Sequence, residues 1–569
     1  MPQNAYIEEQ PRRRRSVWIW IGFVALLCVM GLLIAGEVMV RRANPILKGR
    51  VIETLSTRFK ARVELDGLDV SLLKGLEVTG TGLRIYPPDD AYTADATDPL
   101  ISLGHFQFHT GLRSLFVKPM HVDVVHVSEL SIHIPPKETR IQNPPPSTRK
   151  KPGKIEILVD EIVVENSELV IGTAKPDKEP KRFELQRIRM KDVGSSQPWQ
   201  YDATLVNAIP RGDIHATGSF GPWNTDDPGE SAVTGDYTFD HADLNTIKGI
   251  GGVLSSVGKF DGKLDRIVAD GTTQTPDFSL DTAKHPMPLE TTFHAIIDGT
   301  SGDTYLQPVQ ARLGSTDFTC SGAVINIKGQ GHRTELDIDV PAGRLTDFLQ
   351  LAVKTDPPVM RSTIGMKMHL IVSPGKESVT KKLAMKGSFT LKRIHFTNPQ
   401  VQDKMDELSL RAQGDAKDAK PGAEDVNSEM RGSLVAANGR LNFPSLKYSL
   451  PGADVALQGT YSMDGNTFEF FGKVRTVAKV SQMVAAPWKR FLLKAVDPFF
   501  SKNGAGAEVP VKITGTQGAP KFGLDFGHKK SESETQKDDL KERQNELTPD
   551  GRLARRKPPG LPLTVPEKH

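Results

Sequence analysis

Residues 62–72 read RVELDGLDVSL. Val63 and Leu65 alternate with Glu64 and Asp66, and after Gly67 the pattern resumes with Leu68, Val70 and Leu72 against Asp69 and Ser71. A period of two with apolar and charged residues on opposite sides is the pattern of a half-buried β-strand, and Asp66-Gly67 predicts a kink in it. The pattern recurs far along the chain: Leu130, Ile132 and Ile134; Ile155, Ile157 and Val159; Leu336, Ile338 and Val340; Met366, Met368, Leu370 and Val372; Val509, Val511 and Ile513. Buried parallel strands would read as unbroken apolar runs, so the alternation predicts antiparallel sheet with one apolar face and one wet face. Ile371 is an exception to it.

Upstream, Val17 to Gly36 (VWIWIGFVALLCVMGLLIAG) is uncharged and follows Arg12 to Arg15. As a helix it would measure roughly 30 Å, the thickness of a bilayer's hydrocarbon core. Signal-peptide apolar regions are shorter, about 7 to 15 residues, and no small-x-small cleavage site follows, so an uncleaved anchor is expected. The arginine cluster on the short tail predicts a cytoplasmic N-terminus with the bulk of the chain across the membrane. The expected organisation is a basic tail (1–16), an anchor (17–40), a first β segment (41–134), a Pro-rich linker (135–153), a long β region (154–526) and a charged, aromatic-poor tail (527–569) expected to be disordered.

Helices are expected where the period changes. Ile46, Leu47, Val51, Leu55 and Phe59 predict an amphipathic helix over Pro45–Lys60; further helices are expected at Arg344–Lys354, Val401–Arg411 and Val477–Phe500, the last kinked at Pro487. Gln413–Asn427 reads as a polar excursion between strands. Glycine-centred groups at Thr79–Gly82, Thr217–Ser219, Gln458–Thr460 and Thr514–Thr516 read as turns between strands.

Composition argues against several functions. With 73 Lys and Arg against 69 Asp and Glu in 569 residues, the net charge is +4 and forms no basic stripe along the sequence, so nucleic-acid binding is not expected. The 50 glycines and 40 prolines favour many turns over long helices. Of the two cysteines, Cys28 lies in the anchor run and Cys320 in a strand-like segment, which leaves no intramolecular disulfide to expect.

No motif makes the chain an enzyme. Gly252 to Lys259 approximates a P-loop, but five residues separate Gly252 from Gly258 and Phe260 stands where Ser or Thr would hold Mg²⁺. Lys248-Gly-Ile-Gly-Gly-Val lacks the third glycine of a dinucleotide fingerprint, where Leu254 stands. GxSxG, HExxH and CxxC do not occur. His105, His109 and His121 invite a metal reading, but a solvated strand face accounts for them better than a ligand set without acidic support. Neither cofactor nor metal is expected.

The anchor followed by LKGRVIETLSTRFKARVELDGLDVSLLKGLEVTGTGLRI (Leu47–Ile85) resembles the AsmA-like family of bacterial envelope proteins, related to the larger TamB-type and YhdP-type proteins. Thr275–Leu280, Asp298–Thr316, Val401–Gly414 and Asp497–Phe526 carry the resemblance onward. It implies a mainly β fold: one transmembrane helix, then an elongated antiparallel sheet curled into a groove with an apolar lining. It also implies an inner-membrane protein of a two-membrane bacterium, its bulk periplasmic, that handles phospholipid or maintains the outer membrane. The lining would include Val63, Leu65, Leu68, Val70, Leu72, Leu336, Ile338, Val340, Met368, Leu370, Val511 and Ile513. An ordinary core in which the same apolar faces close on each other gives the same alternation. Two roles follow: lipid binding and transfer, with phospholipid and inner membrane as partners, or non-catalytic assembly of outer-membrane or envelope proteins.

Overall fold

The structure is a computed structural model that describes Met30 and residues 45–525 with gaps, the longest over 135–156. The anchor run other than Met30, Leu72, the whole Pro-rich linker and both terminal tails lie outside the described residues. No helix among the described residues is long and apolar enough to cross a membrane. The chain is mainly β and divides into two compact units, Met1–Ala208 and Ile209–His569.

In the first unit, helix α1 covers residues 45–57, close to the expected 45–60. Eight strands follow: β1 Val63–Glu64, β2 Gly67–Ser71, β3 Leu76–Ile85, β4 Ile101–Thr110, β5 Met120–Ile134, β6 Ile157–Ile171, β7 Lys181–Val193 and β8 Trp199–Ala208. The Asp66-Gly67 kink separates β1 from β2, and both pair with β3. Gly82, with φ +64°, supplies the matching irregularity in β3, where a Cβ would meet the Asp66 carboxylate. Asp66 in turn holds Arg84 at 2.7 Å, while Lys48 of α1 donates to its carbonyl at 2.9 Å.

The β5–β6 pair is parallel, with Met120 opposite Ile157 and Ile134 opposite Ile171. This corrects the wholly antiparallel expectation. The Pro-rich segment therefore joins two paired strands of one sheet, and the boundary between units falls at 208/209. Glu129 and Asn166 adopt left-handed φ (56° and 49°) at matched bulges in these strands; Ser167 Oγ accepts the Leu130 N–H at 3.1 Å and so satisfies a donor the bulge withdraws from the ladder.

The second unit begins with β9 Arg211–Phe220, β10 Ala232–Asp243, β11 Ile250–Gly251, β12 Val253–Lys263, β13 Arg266–Leu280, β14 Met287–Ile297, β15 Thr304–Leu313, β16 Thr316–Ile327 and β17 Gly331–Arg344. It continues with β18 Met360–Val372, β19 Leu383–Phe396, β20 Glu429–Ala437, β21 Arg440–Leu450, β22 Ala453–Ser462, β23 Thr467–Thr476, β24 Ala507–Thr516 and β25 Ala519–Leu524. From β12 onward each strand pairs antiparallel with the next, so the sheet is an open meander.

Helices α2 Leu345–Ala352, α3 Val379–Lys382, α4 Pro399–Gln413 and α5 Asp497–Phe500 interrupt it. Gln413–Asn427 is less polar than expected: Ala416 and Val426 are buried, and Val426 joins the core under α4. The expected helix over Val477–Phe500 needs a second correction, in its first half: residues 489, 493 and 497–500 are helical, and 487–488, 490–492 and 495–496 lie outside the described residues. Residues 477–486 are bends and turns, because Ala478 N and Ser481 N donate to Ala412 O and the Asp497 carboxylate instead of to helical partners. A third concerns glycine. The four groups read as turns lie inside β3, β9, β22 and β24. Gly80 sits under the Phe106 ring and Gly459 against Phe470, positions where a Cβ would collide with the neighbouring ring. The P-loop-like residues after Gly252 likewise sit in strand β12.

Candidate functional site

The apolar side chains of the second unit form rows across the strands. One row runs Ile338, Met368, Gly387, Leu434. The next runs Val340, Met366, Phe389, Gly432, Leu446, Leu457, Gly472, Val511, Leu524. Phe443, Gly459, Phe470, Ile513 and Phe522 carry a third across the later strands. With strands about 4.8 Å apart, these rows make one apolar surface from β17 to β25.

One end of that surface is closed. Leu345, Phe348 and Leu349 of α2 and Met405, Leu408 and Ala412 of α4 pack on Ile364, Leu391, Tyr448, Val455 and Val474. The α4 helix is fixed at both ends: Asn398 Oδ1 accepts the Gln400 N–H at 2.9 Å, Pro399 starts the helix, and Gly414 ends it in a left-handed conformation. Two buried polar pairs lie there, Gln402 donating to Asp406 at 2.8 Å and Tyr448 to Ser428 at 3.1 Å.

Away from the helices the surface is half-buried. Leu336, Ile338, Leu370, Met385, Leu434, Phe443, Phe470 and Ile513 are all intermediate in exposure, while Phe522 and Leu524 are 46% and 58% exposed. Phe389, Phe443, Phe470 and Phe468 form a ring-to-ring line, at successive centroid distances of 6.4, 5.6 and 6.1 Å. Glycines make room for it: a Cβ on Gly432 would meet Phe389 and one on Gly459 would meet Phe470. Burial pushes the Tyr461 phenol and the Cys320 thiol on this sheet above their ordinary ranges.

The sequence-predicted lining divides between the units. Val63, Leu65 and Val70 are buried and Leu68 half-buried in the first; Leu72 lies outside the described residues. In the second, Leu336 faces Leu370 and Ile338 faces Met368, while Val511 and Ile513 share their surface several strands away. Val340 and Met368, at 1% and 8% exposure, are core residues. The aromatic line was missed in the sequence, although Phe468-Glu-Phe470 carries the same alternation.

The opposite face carries cross-strand ion pairs, among them Lys259–Asp236 (3.1 Å), Lys367–Asp339 (2.8 Å) and Lys512–Glu469 (3.0 Å). The first unit's histidines do not converge. His105 lies by Glu129, His109 by Asp123 and His121 by Asp160, each with a different carboxylate, and no metal-binding group occurs among the described residues. No protein-family model, curated protein or solved structure matches the chain.

Proposed function

We propose that this chain binds phospholipid through its acyl chains on the apolar surface of β17–β25. The observation carrying this reading is that the surface is continuous in register yet only half-buried beyond α2 and α4. About a dozen methylenes laid on it would gain roughly 10 kcal/mol, of the same order as an association cost of about 4–15 kcal/mol. Similar rungs on successive strands would let a chain move along the surface without covalent chemistry. With residues 17–36 as a membrane anchor, and in keeping with the resemblance to AsmA-like proteins, the role we infer is phospholipid transport or outer-membrane maintenance from the inner membrane of a two-membrane bacterium.

Native mass spectrometry of detergent-extracted protein should find discrete phospholipid adducts. A photo-crosslinker at Ile338, Leu370 or Ile513 should label acyl chains, and one at Tyr448 or Val455, under the helices, should not. Lipid-free protein whose crosslinks run only to other proteins would replace this reading with envelope assembly.

A further inference from the structure

The polar face of the second unit is divided by charge. Strands β9–β17 carry seven Lys and Arg against twelve Asp and Glu, whereas β18–β23 carry ten against three. Within the basic part lies an open concavity of about 960 Å³ whose charged lining is Lys367, Lys392, Arg431 and Lys447 with Asp339, and one of about 550 Å³ shares Thr363 and Lys392 with it and adds Arg393 and Glu429.

Register explains how these groups meet. Lys367, Ser388, Ser433 and Ser445 lie on one rung, Gly365, Thr390, Arg431 and Lys447 on the next, and Thr363, Lys392, Glu429 and Ser449 on a third. Gly365 leaves the floor open. Arg393 stands at a bulge with φ 55°, where it donates to Thr363 Oγ1 at 2.9 Å.

Lys367 is paired with Asp339 and Arg431 with Glu429. Lys392 lies directly opposite Glu429, which is taken by Arg431, so that among the described residues neither Lys392 nor Lys447 has a carboxylate within ion-pair distance, and Lys447 lies directly opposite Arg431. Like charges opposed across strands destabilise a sheet, so this arrangement suits a surface completed by an anion. Lysine ammoniums with serine and threonine hydroxyls on three rungs offer donors from several directions. That matches a tetrahedral phosphate better than a planar carboxylate, which favours a bidentate arginine.

We propose that this concavity binds phosphate groups, on the face of the sheet opposite the apolar surface and independently of any lipid bound there. The phosphate is either free or on a lipid headgroup.

Full-length protein in phosphatidylcholine nanodiscs is titrated calorimetrically with inorganic pyrophosphate and with dihexanoyl phosphatidic acid. Both should bind, more weakly as salt is raised. Lys392→Gln/Lys447→Gln, two exposed substitutions, should weaken binding about tenfold, while Asp236→Asn/Asp261→Asn on the acidic part should not. Comparable affinities identify free phosphate as the ligand; a clear preference for phosphatidic acid that Lys392→Gln/Lys447→Gln abolishes identifies a headgroup. The proposal is overturned if neither probe binds at millimolar concentration, or if the lysine variant, with an unchanged melting temperature, binds as the parent does.

Discussion

Glu508 shows how a charge is held at the margin of the apolar sheet. Its side chain is 7% exposed and accepts from Lys473 Nζ and Arg475 Nε, both at 2.8 Å. These hydrogen bonds, Lys473's first, hold its carboxyl below the ordinary range. The folded protein therefore binds fewer protons here than the unfolded chain, so stability is full above the unfolded value of about 4.3 and is lost as pH falls through the folded one. Glu508→Gln should lower stability by about 1 kcal/mol at neutral pH, discounted because both cations are more than half exposed. The gap in melting temperature between variant and parent should begin to narrow as pH falls below about 4.3 and close below the folded value; a gap independent of pH would mean packing, not charge, is lost. No spacing in the sequence joins residue 508 to 473 and 475, because the link runs across the β23–β24 register. The in-strand glycines were opaque for a similar reason: the ring that needs the space at Gly459 belongs to Phe470, on the neighbouring strand.

Elements with local signals were legible in the sequence. The α4 helix has its cap, its N1 proline and its terminal glycine within one short stretch, and the structure extends the expected Val401–Arg411 only to Pro399–Gln413. Asn398→Ala should cost about 1 kcal/mol. Because α4 closes one end of the apolar surface, the loss should also raise hydrogen exchange at Tyr448 and Val455 beneath it; exchange confined to the first turn would show that the helix is held by packing alone. The Asn438-Gly439 hairpin between β20 and β21, both residues at positive φ, is another local signal. The stretch 477–500 misled because its apolar spacing is helical, while Asp497, a distant acceptor, decides its course. The half-open state of the apolar surface was not legible at all, since alternation is the same whether a helix covers a strand or not.

At the scale of the molecule, the strand-rich class follows from the alternation, but the parallel β5–β6 pair does not, because pairing direction leaves no mark on a strand's own period. What it demands is length in the connection. β5 ends at Ile134, beside Ile171, and β6 begins at Ile157, beside Met120, so the chain must return the length of a 15-residue strand, about 46 Å at 3.3 Å per step. The connection, 135–156, can reach about 78 Å when extended. Removing six residues from it leaves about 58 Å and should preserve the pair; removing twelve leaves about 37 Å and should break it. Val122→Cys with Val159→Cys, directly opposite in the parallel register, gives the readout by oxidative crosslinking. The disulfide should form in the parent and the shorter deletion and fail in the longer one. Crosslinking that survives the twelve-residue deletion would mean that β6 meets β5 in another direction.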